Sequence, residues 1–146
     1  MFLFKEFMDH PNVQKIKAQF ESLAGWEERY RKIIDLGKSL ETMPEAMKTE
    51  DNKVKGCQSQ VWLFAEMDTD RKIHFWGDSD ALIVRGLVSV LLGVYNGLTP
   101  KEIMEISPDF LKDLGFDKNL SPSRTNGLFS MLKQIRMYAT AFSYKT

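Results

Sequence analysis

The chain has one cysteine, Cys57, set in the run Val54-Lys55-Gly56-Cys57-Gln58-Ser59-Gln60-Val61-Trp62. A glycine precedes the thiol, three polar residues follow it, and an apolar stretch begins at Val61. Glycine permits the backbone turns that lift a loop tip, and loops fixed at their base by regular structure are where reactive groups are presented. Lys53 and Lys55 lie close by in sequence, a setting that favours the nucleophilic thiolate over a free thiol of pKa about 8.5. The bland alternative for a lone cysteine is a small buried hydrophobe. One thiol closes no disulfide within its own chain.

Other chemistries lack their residues. Structural zinc takes about four Cys or His ligands, and the sequence supplies only Cys57, His10 and His74. A thiol phosphatase would place an arginine shortly after the cysteine, but residues 58–64 hold none. The GxxxxGK and GxGxxG phosphate and dinucleotide loops are absent. A Cys57–His74 dyad is conceivable as nucleophile and base. Against it, His74 sits in an alternating Ile73-His74-Phe75 run, where an ordinary surface or partly buried histidine is the simpler reading.

Composition narrows the partners. The chain has 146 residues, 43% hydrophobic and 27% charged, which suits a single domain over residues 1–146 with a substantial core. Twenty Lys and Arg balance twenty Asp and Glu, so no positive excess exists to engage a nucleic-acid backbone or an anionic membrane. The apolar N-terminus, with Phe2, Leu3, Phe4 and Phe7, is interrupted by Lys5, Glu6 and Asp9 and lacks the features of a signal peptide. The apolar run over residues 81–95 contains Arg85 and is shorter than the roughly 20 residues of a membrane span. A single free cysteine fits a reducing compartment, so the expected location is the cytoplasm.

The elements that must position Cys57 follow from periodicity. Ile16, Phe20 and Leu23 mark one helical face, and Trp26, Tyr30, Ile33 and Ile34 mark a second helix that begins after Gly25 and ends near Gly37. Pro44 opens a weak helical turn to about Met47, and the polar residues 48–53 read as a solvated loop. Alternation over residues 60–67 predicts a strand, residues 72–76 a second, and the turn at Asp68-Thr69-Asp70 joins them as an antiparallel hairpin. Residues 53–55 are a possible third strand. Large apolar groups on both faces of residues 61–64 predict helices against one face and part of the loop system against the other.

Asp78, Ser79 and Asp80 read as cap and first-turn acids of a central helix carrying Leu82, Ile83, Leu87, Val90, Leu91 and Val94, which ends at Gly97. Arg85 in this helix is expected to pair with an acid or face solvent. Thr99-Pro100 starts a short helix that Ser107-Pro108 interrupts, and Ser121-Pro122 caps a long last helix with Leu128, Met131, Leu132, Ile135, Tyr138 and Phe142 buried. Helices, hairpin, helices: the class is α+β, a small antiparallel sheet of about three strands packed against several helices.

Three blocks then carry a resemblance. The run over residues 54–62, the pair Gly77-Asp78-Ser79-Asp80-Ala81 and Ile83-Val84-Arg85-Gly86-Leu87, and Leu120-Ser121-Pro122-Ser123-Arg124 with Gly127-Leu128 together resemble the SufE family of sulfur acceptors, including its CsdE branch. Trp26-Glu27, Tyr30 and Leu36-Gly37 fit the family's N-terminal helix. The likeness runs from about Leu23 through the last helix. Gln58-Ser59-Gln60 leans toward the SufE branch.

The resemblance implies a fold similar to U-type iron–sulfur scaffolds, and a sulfur carrier that also stimulates its donor. The donor is a pyridoxal-phosphate cysteine desulfurase of SufS or CsdA type, whose persulfide passes its outer sulfur to Cys57; the recipient is an iron–sulfur cluster scaffold. The carrier needs no cofactor of its own, and with one cysteine it does not hold a cluster alone. Arg124 matches the family's arginine: it either docks the desulfurase or favours the anionic sulfur, or it is a first-turn arginine without special role. Gln58 and Gln60 are expected, with Arg124, to bind the partner, and to order the loop. Cys57 is expected to rest in an apolar pocket and swing outward on docking. The competing reading is an autonomous cysteine enzyme, a thiol hydrolase or peroxidase.

Overall fold

The structure, a computed structural model, describes residues 9–145; the apolar residues 1–8, and with them the signal-peptide question, lie outside it. Helix α1 (Pro11–Phe20) starts with Pro11 in the first turn and with His10 as its cap, the His10 Nδ1 accepting from the Asn12 amide at 3.0 Å. Helix α2 (Trp26–Lys38) begins after Gly25 and buries Ile33 and Gly37. Two 3₁₀ turns, Glu45–Met47 and Glu50–Asn52, lead into the cysteine loop. Strand β1 (Val61–Met67) pairs antiparallel with β2 (Ile73–Ser79), Val61 opposite Ser79 and Met67 opposite Ile73.

The apolar α3 (Leu82–Tyr95) follows, then three short helices, α4 (Pro100–Glu105), α5 (Phe110–Asp113) and α6 (Phe116–Asn119), and the long α7 (Pro122–Ser143). The α+β reading holds: seven α-helices and a two-stranded antiparallel sheet among the described residues.

Alternation in the hairpin sorts its two faces. Val61, Leu63, Ala65, Ile73 and Phe75 are buried against the helices, whereas Trp62, Phe64, His74 and Trp76 are half-buried on the other side. There the segment 41–53 covers part of the sheet, with the Lys48 ammonium 5.7 Å from the Trp62 ring centre and Glu41 bonded to His74 at 2.9 Å. The expected two-sided covering is therefore present.

Helix α3 is the hub. It packs on α1, α2, α7 and β2, and its contact with α2 is unusually close: a Cβ on Gly86 would lie 2.1 Å from the Ile33 carbonyl oxygen, and one on Gly37 would lie 2.7 Å from the Gly86 nitrogen. Only glycine at these places lets two helix backbones approach so nearly.

Four local expectations are corrected. The third strand shrinks to one bridge, Lys53 to Trp62, with the Val54 amide donating to the Val61 carbonyl at 2.8 Å, because the chain turns away at Gly56 with φ +91°. Strand β2 runs past Trp76 to Ser79, since the backbone of Gly77, Asp78 and Ser79 still pairs with Leu63, Trp62 and Val61.

Asp78 and Ser79 consequently belong to a strand and do not cap α3, whose cap residue Ala81 makes no side-chain bond; Asp80 instead accepts from the Gln60 amide at 3.0 Å. The run 48–53 is not wholly solvated either. Lys48 is 18% exposed and bonds the buried Asp78 at 2.7 Å, and Arg85 takes the acid-pairing option, with its Nε 3.6 Å from the same carboxylate.

Candidate functional site: a thiol seated under the last helix

Gly56 supplies the turn that begins the loop. Its φ of +91° is a conformation that L side chains rarely adopt, and a Cβ there would meet the Ser130 hydroxyl of α7 at 2.6 Å, so both backbone and space require glycine. The loop returns to the sheet through paired bonds, Gln60 N–H to the Asp80 carboxylate at 3.0 Å and Asp80 N–H to the Gln60 carbonyl at 3.2 Å. Between these ties Cys57 points down at α7. Its Sγ–H donates to the Gly127 carbonyl at 3.7 Å, and a Cβ on Gly127 would stand 3.4 Å from the sulfur.

The thiol lines a cavity of about 360 Å³. Val84 and Leu87 of α3 and Met131 of α7 make its apolar side; Gln58, Ser59, Ser121, Ser123 and Arg124 make the polar one. The start of helix α7 positions Ser121, Ser123 and Arg124: Ser121 caps it, accepting from the Arg124 amide at 3.3 Å, with Pro122 in the first turn. The Arg124 guanidinium donates through Nη1 to the Tyr30 hydroxyl on α2 at 3.2 Å. Among the described residues no carboxylate pairs with it.

Electrostatics reverse one expectation. Burial pushes the Cys57 thiol above its ordinary value, because desolvation disfavours the anion. The nearby lysines do not offset this: Lys53 is bonded to Glu50 at 2.8 Å, and Lys55 is exposed. Burial of the seated thiol therefore favours its protonated form.

The residues singled out in the sequence divide. Cys57, Gln58 and Arg124 share the cavity, whereas Gln60 does not line it and ties the loop base through its backbone. The Gln58 side chain is exposed, and among the described residues no hydrogen bond ties it to the loop. His74 sits at the far end of β2, five residues beyond the position paired with Val61, or roughly 16 Å at strand spacing; bonded to Glu41, it is no base for Cys57. Gly127, Ser123 and Tyr30 stood in the sequence only as members of the matching blocks, with no role at the site assigned to them. A glycine inside a long helix is itself a signal of close approach, but nothing local marks the Tyr30–Arg124 bond across 94 positions. Among the described residues no group of three His, Cys, Asp or Glu side chains could hold a metal ion, and no helix is long and apolar enough to cross a membrane.

A lone thiol on a glycine-started loop, tied at its base to a hairpin and covered by the first turns of a long helix, defines a small α+β domain with one half-buried cysteine in a cavity of its own. The chain belongs to the SufE family: the family's Fe-S metabolism associated domain matches residues 14–139. It is 43% identical over 132 residues to an uncharacterised SufE-like protein of Synechocystis, covering 90% of this chain and 82% of that one. A SufE-like protein of Rhizobium meliloti is 42% identical over 132 residues, covering 88% and 94%. The solution structure of a hypothetical protein from Thermus thermophilus shares the fold at a TM-score of 0.77 and 20% identity, over 93% of this chain and 98% of that one. Membership places the chain in iron–sulfur metabolism and sulfur transfer.

Proposed function

We propose that the protein is a sulfur acceptor and carrier that takes persulfide sulfur from a cysteine desulfurase onto Cys57, stimulates that desulfurase and hands the sulfur to an iron–sulfur cluster scaffold. One observation supports this above the rest: the sole thiol rests half-buried in its own cavity on a loop that begins at a positive-φ glycine. A resting nucleophile of this kind is withheld from stray electrophiles until docking draws the loop out, when rehydration lowers its pKa.

The step is thiol exchange. The Cys57 thiolate attacks the outer sulfur of the donor persulfide, a new Sγ–S bond forms, the donor S–S bond breaks with its electron pair, and the desulfurase thiolate leaves. Redox balance is kept within the pair, and the proton shed by Cys57 is matched by the one the departing thiolate can take up. Gln58 and Arg124 lie on the cavity's polar rim, where a docked desulfurase would meet them, and Gln60 holds the loop base from which the tip moves. An autonomous hydrolase or peroxidase would need a base or a resolving thiol, and no observation favours it.

The test is incubation with a cysteine desulfurase, pyridoxal phosphate and free cysteine, followed by mass spectrometry of the intact protein and its fragments. One added sulfur is expected on the peptide containing Cys57, and Cys57→Ser is expected to abolish both the added sulfur and the stimulation of the desulfurase. Stimulation that survives Cys57→Ser undiminished would rule out sulfur acceptance as the mode of action. Turnover of a substrate with no desulfurase present would favour the autonomous enzyme.

A further inference from the structure

Arg124 occupies an electrostatically poor position. It is the third residue of α7, where the aligned peptide dipoles leave partial positive charge and a cation is disfavoured. It is also half-buried, and among the described residues no carboxylate neutralises it; the Tyr30 hydroxyl is the neutral group that its guanidinium meets, at 3.2 Å. A guanidinium held beside a thiol cavity by a neutral partner keeps its full charge for an anion inside that cavity.

The anion that fits is the loaded sulfur. Adding one sulfur to Cys57 extends the side chain by an S–S bond of about 2.0 Å into a cavity of about 360 Å³ that has room for it. A persulfide is more acidic than its parent thiol, so its outer sulfur carries negative charge at neutral pH. The apolar wall of Val84, Leu87 and Met131 suits the sulfur atoms, while Arg124, Ser121 and Ser123 stand on the polar side.

Tyr30 reaches Arg124 from α2, which packs backbone to backbone on α3 at the Gly86–Ile33 and Gly37–Gly86 approaches. Resting on the sulfur-carrier reading above, we propose that Tyr30 is a positioning residue: it aims the Arg124 guanidinium at the outer sulfur of loaded Cys57, and so holds the cargo anionic and in place between donor and recipient.

The experiment separates this role from simple packing by loading Cys57 without any desulfurase. Inorganic polysulfide is added, the thiolate attacks a polysulfide sulfur and the shortened polysulfide leaves; excess reagent is removed, and the rate of alkylation is followed against pH by mass spectrometry, for the loaded and the unloaded protein separately. For Tyr30→Phe the loaded form is expected to titrate about one pH unit higher than in the wild type, as expected when an opposite charge is moved off an anion. The unloaded thiol is expected to titrate where it did before.

Arg124→Gln should shift the loaded form at least as far. If Tyr30→Phe leaves the loaded titration in place, or if it instead lowers the unloaded titration because the cavity has opened, Tyr30 only packs and the proposal is overturned. A shift with Arg124→Gln alone also overturns it, since Arg124 then needs no help from Tyr30. Because loading is chemical, a desulfurase that fails to transfer sulfur would sink the carrier reading while leaving this outcome separately readable.

Discussion

The Gly127 carbonyl oxygen accepts from the Cys57 sulfur at 3.7 Å, and a Cβ at position 127 would stand 3.4 Å from that same sulfur. The last helix therefore forms the floor of the thiol's seat, and the size of residue 127 sets its depth. Gly127→Ala adds an atom at ordinary contact distance and replaces glycine in a helix interior, so the protein should fold with stability unchanged or raised by up to about 1 kcal/mol. Gly127→Val places methyl groups where the sulfur sits and should cost about 1–3 kcal/mol by overpacking. It should also expel the thiol, giving faster alkylation of Cys57 at pH 7 than in wild type or Gly127→Ala; equal rates in all three would show that residue 127 does not control the seat.

The pH dependence has a definite sign. Burial raises the folded-state pKa of Cys57 above its unfolded value, so the folded protein holds this proton more tightly than the unfolded chain does. The stability contributed by the neutral, buried thiol is full below the unfolded value and is lost as pH rises through the higher folded value. Urea titrations of the wild type between pH 7 and 10 should show a decline that is shallower in Cys57→Ser, and an undiminished slope in that variant would assign the decline elsewhere. In the same range the alkylation of unloaded Cys57 should reach half its maximal rate at a higher pH than in the urea-unfolded chain.

Asp78 anchors the strand beside the cysteine loop. It pairs across the sheet with Trp62 and bonds Lys48 at 2.7 Å, both side chains being largely shielded at 12% and 18% exposure. The Asp78 hydrogen bond is the foremost cause that raises the Lys48 pKa above 10.5, so this contribution is present at neutral pH and fades only as pH climbs through the raised value. Asp78→Asn leaves Lys48 without its main counter-ion and Arg85 without its nearest acid. A loss of about 2 kcal/mol is expected, below the roughly 3–5 kcal/mol of a fully buried pair because water still reaches these groups. Chemical denaturation measures it, and a change under about 0.5 kcal/mol, typical of surface substitutions, would mean the pair is solvated in practice.

The legible parts of the sequence were those where one period or one residue type dominates. Leu82 through Tyr95 showed its helix because nearly every residue is apolar, and Cys57 stood out because Gly56 and Gln58 excluded it from any core stripe. What stayed hidden depends on distant partners. Asp78 looks like a helix cap from its neighbours, yet the register of β1 draws it into the strand and Lys48 into its vicinity. Lys53 and Lys55 look like activators of the thiol, but Glu50 pairs with the first and water surrounds the second, so burial alone sets the direction of the thiol's shift. The short helices Phe110–Asp113 and Phe116–Asn119 are single turns with too few residues to show a period.

The α2–α3 contact links stability to the site. A Cβ on Gly86 would sit 2.1 Å from the Ile33 carbonyl oxygen and 2.5 Å from its Cγ2, whereas one on Gly37 would meet the Gly86 nitrogen at 2.7 Å. Backbone atoms cannot rotate away as a side chain can, so the helices must part, and Gly86→Ala should cost about 3 kcal/mol or more, a fall in Tm of roughly 10 °C for a domain of this size. Gly37→Ala should cost less, in the order of the two distances. Parting α2 from α3 also carries Tyr30 away from Arg124, since Tyr30 lies one turn before Ile33 on the same helix. Gly37→Ala, the milder change, should therefore raise the titration of the loaded Cys57 in the direction expected of Tyr30→Phe while the protein remains folded. Thermal melting and the alkylation profile together check this, and Tm losses that are equal in the two variants would show that the Ile33–Gly86 approach does not govern how α2 is seated.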